Sequence, residues 1–211
     1  LKRSSPPAGS LAPDLDPAQR ATLYCDAGAA AISVLTEHDY FSGSIEDLTA
    51  ATRIARPSNV PVLRKDFIVD EYQIHEARSA GADCILLIIA ILDPSQYADL
   101  FAISTSMGMD VLVEVFDEPE LDIAMEIEPP IIGVNNRNLK TLKTSLSVFE
   151  QLAKKIPSDQ IKVAESGMKN STDVRRMGRA GAKAVLVGES LMKAGGNVSN
   201  LAREMAEIQV S

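Results

Sequence analysis

The stretch AGADCILLII, residues 80–89, contains the sequence pattern that is most informative about the fold. Its glycine suits the end of a helix, because glycine adopts the left-handed conformation that closes a helix at little cost. The apolar run at residues 84–89 is rich in Ile and Leu, which is typical of a strand buried on both faces of a parallel sheet. The stretch therefore predicts a junction between a helix and a buried parallel strand.

The same junction recurs along the chain. The triplet Ala-Gly-Ala stands at residues 27–29, 80–82 and 180–182. Further apolar runs occupy residues 30–35, 60–63, 110–115, 130–134, 161–164 and 184–187, and residues 1–4 are an eighth candidate. Eight strand–helix units in 211 residues predict an α/β fold, a TIM (β/α)8 barrel that forms a single domain over residues 1–211. A doubly wound sheet is the alternative, but such sheets usually have fewer strands.

Most of the predicted helices begin at a capping residue. Asp16, Asp70, Asp93, Asp117 and Asn170 each precede a predicted helix. Asp or Asn at this position accepts hydrogen bonds from the free backbone N–H groups of the first turn. After the four Asp residues, Glu or Gln follows three positions later, as in a capping box.

Charge and composition disfavour several classes of function. The formal net charge of -8 argues against a nucleic-acid partner, although a locally positive site can still bind an anionic substrate. The longest apolar run, residues 84–92, is far shorter than the roughly 20 residues that span a bilayer, and no signal peptide is visible. Cys25 and Cys84 lack metal-ligand spacing, which favours reduced thiols in a cytoplasmic protein.

Polar residues follow the apolar runs at their carboxyl ends. The active sites of TIM barrels lie at the carboxyl ends of the strands. These polar residues are Lys2, Lys65, Glu114, Asn135 and Glu165. Side chains alternate between the two faces of a strand, which points Glu114 into the barrel. A carboxylate in an apolar run is costly unless it is paired or functional. A lysine and a glutamate that meet there tune each other's pKa for proton transfer.

Taken singly, these residues have ordinary structural explanations. Lys65 suits a solvated surface charge, Asn135 a loop cap, Arg137 a surface charge and Gly188 a tight turn. The two histidines lack a converging ligand set, so the sequence predicts no metal site. The convergence of the polar residues on one barrel mouth is what favours the functional interpretation.

The loops after the last two apolar runs suit a phosphate group, because TIM barrels often bind phosphate at this position. One loop contains Ser166 and Gly167, and the other contains Gly188 and Glu189. Small residues there let backbone N–H groups approach an anion.

Several segments together resemble the indole-3-glycerol-phosphate synthase family. They are KRSSPP at residues 2–7, LRKDFI at 63–68, VEV at 113–115, GVNNRNL at 133–139, ESG at 165–167 and LVGES at 186–190. The resemblance covers essentially the whole chain in order, and the segments at 63–68 and 133–139 are together highly specific.

The resemblance implies a carboxy-lyase of tryptophan biosynthesis that uses neither a metal nor an organic cofactor. Its substrate would be 1-(2-carboxyphenylamino)-1-deoxyribulose 5-phosphate, which would lose carbon dioxide and water on ring closure. The phosphorylated substrate is the expected partner, and other tryptophan-pathway enzymes are further candidates. The family occurs in the cytoplasm, or in the plastid if the source is a plant.

The resemblance also implies residue roles. Lys65 would be the general acid, Glu114 an acid or base in the dehydration, and Lys2, Asn135 and Glu165 would orient and polarise the substrate. The substrate would also contact Arg137 at its anthranilate end, Phe67, Leu86 and Leu139 in an apolar slot, and Ser5, Gly167, Gly188 and the backbone of Ser166 and Glu189 around its phosphate.

The chain departs from the family pattern at its start. The family has an N-terminal extension of several tens of residues and a catalytic glutamate two residues before the lysine that matches Lys2. That position falls before Leu1, so we expect a truncated or incomplete N-terminus and impaired activity.

Two alternative functions remain at this point. A catalytically dead barrel could serve as a ligand-binding or assembly module, which the missing glutamate favours. Phosphoribosylanthranilate isomerase shares the expected fold, but that family places a cysteine where this chain has Lys2-Arg3-Ser4.

Overall fold

A parallel sheet of seven strands forms the framework of the protein in a computed structural model that describes residues 1–6 and 9–208. The strands are β3 (Ile32–Val34), β4 (Val62–Arg64), β5 (Cys84–Ile88), β6 (Asp110–Val115), β7 (Ile131–Asn135), β8 (Ile161–Glu165) and β9 (Ala184–Leu186). They are hydrogen-bonded in chain order, from β3 to β9. With helices between consecutive strands, the sheet curls into a nearly closed barrel, which confirms the predicted TIM-barrel fold.

Helices connect the strands along the outside of the sheet. They are α1 (Pro17–Asp26), α2 (His38–Phe41), α3 (Ile45–Ala55), α4 (Glu71–Ser79), α5 (Pro94–Ser106), α6 (Glu118–Met125), α7 (Ser147–Leu152), α8 (Ser171–Arg179), α9 (Glu189–Lys193) and α10 (Val198–Ala206). Short 3-10 turns lie at Arg56–Ser58, Ile89–Ile91 and Gly195–Asn197. Within the described part of the chain, none of the helices combines the length and the apolar character that a membrane crossing needs.

The capping residues lie where the sequence predicts them. Asp16, Asp70, Asp117 and Asn170 are N-caps whose side chains accept hydrogen bonds from first-turn N–H groups. Asp93 is also an N-cap, but its side chain makes no such bond.

The prediction of a barrel strand at residues 1–4 is wrong. Only Leu1 joins the sheet, where its carbonyl accepts a hydrogen bond from the Leu35 N–H at 3.1 Å. The Arg3 N–H turns away and donates to the Phe41 carbonyl at 3.2 Å. The next residues form β1 (Ser4–Ser5), which pairs antiparallel with β2 (Gly9–Ser10). These contacts with α2 and with β2 replace the hydrogen bonds that a barrel strand would make.

The core has two parts, separated by the sheet. The larger part lies between the sheet and the helices and contains Val111, Val113 and Val115 of β6. The smaller part fills the barrel interior and consists of Leu63, Leu86, Ile88, Leu112 and Val163. Because Leu112 is inside, alternation along β6 also points Glu114 inward, as the sequence predicts.

Candidate active site

A lysine and two glutamates meet at the carboxyl ends of the barrel strands. The Nζ atom of Lys65 lies 2.8 Å from Oε2 of Glu114 and 3.2 Å from Oε2 of Glu165. Lys65 follows β4, Glu114 lies in β6 and Glu165 ends β8. The three side chains are only 17%, 3% and 1% exposed, so their charges interact with little screening by water.

Asn135 fixes the second oxygen of Glu114. Its Nδ2 atom donates to Oε1 of Glu114 at 2.9 Å, and its Oδ1 atom accepts from the Arg137 N–H at 3.0 Å. Glu165 differs, because its contact with Lys65 is longer and neither of its carboxyl oxygens meets a well-aligned hydrogen-bond donor within residues 1–6 and 9–208. Its carboxyl therefore keeps more unused hydrogen-bonding capacity for a ligand than the carboxyl of Glu114.

Burial and mutual charge give the three groups different pKa values. Burial alone would lower the pKa of Lys65, but the negative charges of Glu114 and Glu165 and the hydrogen bond to Glu114 outweigh it and raise that pKa. Burial favours the neutral form of Glu114, yet Lys65 and Asn135 hold its pKa below the ordinary value. For Glu165, burial and the nearby Glu114 charge overcome Lys65 and raise the pKa to about 8. Near neutral pH the cluster therefore holds an ammonium, a carboxylate and a carboxylic acid.

An apolar slot lies beside this cluster. Phe67, Leu86 and Leu139, the residues predicted for it, all line the same cavity as Lys65 and Glu114. Phe67 and Leu139 are 41% and 39% exposed, so a ligand can reach them from the mouth. Sequence reasoning missed Phe41, whose ring centroid lies 6.3 Å from that of Phe67. Phe41 lies on a helix after β3, outside the alternation along strands that revealed the other residues.

The predicted phosphate loops line the same cavity. Ser166 and Gly167 have φ values of 62° and 87°, and this left-handed backbone makes a tight turn immediately after β8. A Cβ atom at Gly188 would lie 3.7 Å from Cε of Lys2, so these two residues are neighbours. The Oγ atom of Ser5 is buried in the same cavity without a partner among the described residues.

Positive charge concentrates on this side of the mouth. Burial and the nearby charge of Arg137 lower the pKa of Lys2 to about 8. Arg137 itself contacts Glu189, with 2.8 Å between Nη2 and Oε2. Hydrogen bonds from Lys193 and Arg137 lower the pKa of Glu189 to about 2. The Glu189 side chain thus holds Arg137 next to the Gly188 loop.

Within residues 1–6 and 9–208, no group of three or more His, Cys, Asp or Glu side chains is arranged to hold a metal ion. The absence of a metal or organic cofactor from the reaction stays a prediction.

The protein is therefore a TIM-barrel enzyme in which one cavity contains a buried lysine–carboxyl cluster, an apolar slot and a cationic, glycine-lined region. Residues 1–205 match the family described as indole-3-glycerol phosphate synthase. The chain belongs to this family. The family predicted from sequence is thereby confirmed, and with it the enzyme class, a carboxy-lyase of tryptophan biosynthesis.

Individual relatives agree with the family match. The chain is 50% identical over 194 residues to the indole-3-glycerol phosphate synthase of Albidiferax ferrireducens, covering 92% of this chain and 72% of the relative. It is 43% identical over 210 residues to indole-3-glycerol phosphate synthase 2 of Ralstonia nicotianae, covering 100% of this chain and 77% of that protein.

Solved structures support the fold alone. 3-Hexulose-6-phosphate synthase from Salmonella typhimurium superimposes with a TM-score of 0.72 at 14% identity, covering 90% of this chain and 92% of that one. A thiamine phosphate pyrophosphorylase from Pyrococcus furiosus gives 0.70 at 15% identity, covering 89% and 86%.

Proposed function

We propose that this chain converts 1-(2-carboxyphenylamino)-1-deoxyribulose 5-phosphate into indole-3-glycerol phosphate, carbon dioxide and water. One observation carries the proposal. The Lys65 ammonium lies within 2.8 and 3.2 Å of two buried glutamates, one of which favours the protonated form. The cluster therefore offers both a proton donor and a proton acceptor to a ligand in the same cavity.

Ring closure joins the aromatic carbon that bears the carboxylate to the ketone carbon of the substrate. Lys65 donates a proton to the ketone oxygen, which makes the ketone carbon electron-poor and neutralises the developing alkoxide. Phe67, Leu86 and Leu139 hold the aromatic ring against the ketone, so that positioning supplies a large part of the rate.

Decarboxylation and dehydration follow on the same site. The carbon–carboxylate bond breaks, and its electron pair returns to the ring and restores aromaticity. The former ketone oxygen, now a hydroxyl, leaves as water after it receives a proton. Glu114 removes a proton from the methylene carbon between the nitrogen and the former ketone carbon, and the electron pair of that C–H bond forms the indole double bond as the hydroxyl leaves. The proton that Glu165 holds near pH 7 makes it a suitable donor to the leaving hydroxyl.

The two charged ends of the substrate bind on the cationic side of the mouth. The phosphate contacts the Ser5 hydroxyl and the backbone at Gly167 and Gly188, because glycine allows close approach to an anion. Lys2 and Arg137 neutralise the phosphate and the substrate carboxylate, and Arg137 exchanges Glu189 for the incoming anion. These roles are supported by the shared cavity and the local excess of positive charge.

We also propose a cytoplasmic location for this reaction, or the plastid if the source is a plant. Cys25 and Cys84 are both free thiols, as is usual for proteins of a reducing compartment. The net charge of -8 favours small-molecule chemistry over nucleic-acid binding. Other tryptophan-pathway enzymes are the expected protein partners.

The test is to mix the protein with the carboxyphenylamino deoxyribulose phosphate and to follow indole fluorescence together with carbon dioxide release. Both signals are expected, in equal amounts. The matched control pair is Lys65→Ala, which should be nearly inactive, and Lys155→Ala, which removes an exposed lysine paired with Glu118. Binding of the substrate without carbon dioxide release would show a ligand-binding module and would refute the proposal.

A further inference from the structure

Gly133 lies between the two glutamates of the cluster. In the sheet, Gly133 of β7 pairs with Glu114 of β6 on one side and with Val163 of β8 on the other. Glu165 is two residues beyond Val163 and pairs with Asn135. The carboxyl of Glu165 therefore leans back along its strand, over the position where β7 has no side chain.

A side chain at Gly133 would collide with Glu165. A Cβ atom built there overlaps Oε1 of Glu165 and lies 3.1 Å from its carboxyl carbon Cδ. The same Cβ atom would lie 3.1 Å from Cδ1 of Leu112, so Leu112 also restricts the space for a side chain at this position. Gly133 is not among the glycines with a positive φ, so the backbone itself would accept alanine.

We infer that Gly133 is a positioning residue of this active site. Because Gly133 has no side chain, the Glu165 carboxyl can occupy the space above it and reach Lys65 beside Glu114. Two strands, β6 and β8, each deliver a carboxyl group to one ammonium, and a side chain at position 133 of β7, which lies between them, would separate them. Glycine solves this steric problem without changing the backbone path. The catalytic part of this inference rests on the proposed function, whereas the steric part does not.

The side chain of Glu165 is tightly enclosed in its present position. It is 1% exposed, with Leu112 beneath the carboxyl and Lys65 in front of it. An added methyl group would push the carboxyl toward the open cavity, away from the burial that keeps it protonated. Lys65 would keep its contact with Glu114, so the cluster would lose one member rather than collapse.

The experiment compares Gly133→Ala with Gly196→Ala, a control glycine that has an ordinary φ and nothing within 4 Å of an added Cβ. Gly133→Ala is expected to lower kcat by about 100-fold, the effect of a small displacement of a reacting group. Gly196→Ala is expected to match the unmodified protein. Equal kcat for all three proteins would overturn the inference, whereas no turnover by the unmodified protein would refute the proposed function instead.

A second comparison measures the effect of Gly133→Ala when position 165 has the shorter side chain of aspartate. Glu165→Asp withdraws the carboxyl by one methylene, so adding Gly133→Ala to it should lower kcat by no more than about two-fold, the non-additivity of residues in direct contact. A loss of similar size in both backgrounds would mean that the alanine acts through Leu112 and not through Glu165. If Gly133→Ala fails to fold, folding of the double variant supports the inference, and failure of both overturns it.

A stability measurement gives a readout independent of activity. The protonated Glu165 makes the melting temperature fall as pH rises from 4.5 to about 8, and Gly133→Ala should weaken this dependence by moving the carboxyl toward water. An unchanged pH dependence in Gly133→Ala would show that the carboxyl has not moved, and the inference would be wrong.

Discussion

The barrel interior has two layers that lie only two residues apart on the same strands. The lower, floor layer consists of Leu63, Leu112 and Val163, and the upper, mouth layer consists of Lys65, Glu114 and Glu165. Both layers are buried and face the barrel axis. The floor layer gains free energy by excluding water, whereas the mouth layer must offset the desolvation of ionisable groups. A rise of roughly 6.6 Å along each strand thus separates packing from chemistry.

The mouth layer tolerates burial because its charges balance. Lys65 carries one positive charge and Glu114 one negative charge, while the raised pKa of Glu165, about 8, keeps it neutral near pH 7. A second ionised carboxylate would leave the buried group with a net charge, which is far more costly than a matched pair. Glu165 is therefore protonated because of the packing around it, and the proposed reaction uses this proton.

The largest expected effect comes from the mouth layer. Lys65→Ala should reduce kcat by about 100- to 10,000-fold, the range for loss of a positioned proton donor. The fold should persist, because the two carboxyls can take up a proton when the ammonium is gone. Steady-state kinetics and circular dichroism melting measure the two effects. Turnover of Lys65→Ala at the unmodified rate would remove the functional distinction between the layers.

Substitutions in the floor layer should lower stability, in contrast to the loss of kcat expected for the mouth layer. Leu112→Ala should lower the free energy of unfolding by about 3 kcal/mol, because it leaves a cavity in a packed interior. Leu23→Ala, at a position that is 36% exposed, should cost about 0.5 kcal/mol or less. Urea denaturation measures both values. Equal costs for the two variants would contradict the assignment of Leu112 to a stabilising layer.

Glu165 should contribute a distinct part of the pH dependence of stability. Glu165 has a pKa of about 8 when folded and an ordinary value of 4.5, so folding takes up a proton between these pH values. Its contribution to stability is present below pH 4.5 and is lost as pH rises through about 8. The melting temperature of the unmodified protein, measured relative to that of Glu165→Gln, should therefore fall from pH 5 to pH 9. A relative melting temperature that stays constant or rises over this range would mean that Glu165 is ionised at neutral pH.

The smallest effect is expected far from both layers, at a helix cap. Asp70→Ala should lower the free energy of unfolding by about 1 kcal/mol, because the Asp70 side chain accepts a first-turn N–H and takes part in a capping box. Asp93→Ala is the matched control, since its side chain makes no capping bond, and it should cost less. Thermal melts of the two variants measure the two stability costs. Neither substitution should change kcat.

Much of the fold was predictable because it depends on local patterns. Seven of the eight predicted strands are present. Their observed ends lie within two residues of the predicted ends; for example, β4 is Val62–Arg64, whereas residues 60–63 were predicted. Apolar runs between capped helices leave few alternatives to buried parallel strands. The prediction failed at residues 1–4, where the hydrogen bond from Arg3 to Phe41 comes from a distant part of the chain.

Periodicity and short motifs were enough to predict the repeated strand–helix unit, the inward direction of Glu114 and the family. Packing between strands was needed to establish which carboxyl holds the proton, that Phe41 lines the slot and that Gly133 leaves room for Glu165. The physical reason is that burial, charge coupling and steric overlap depend on side chains from different strands. Spacing along one strand cannot reveal how three of them fill a shared volume.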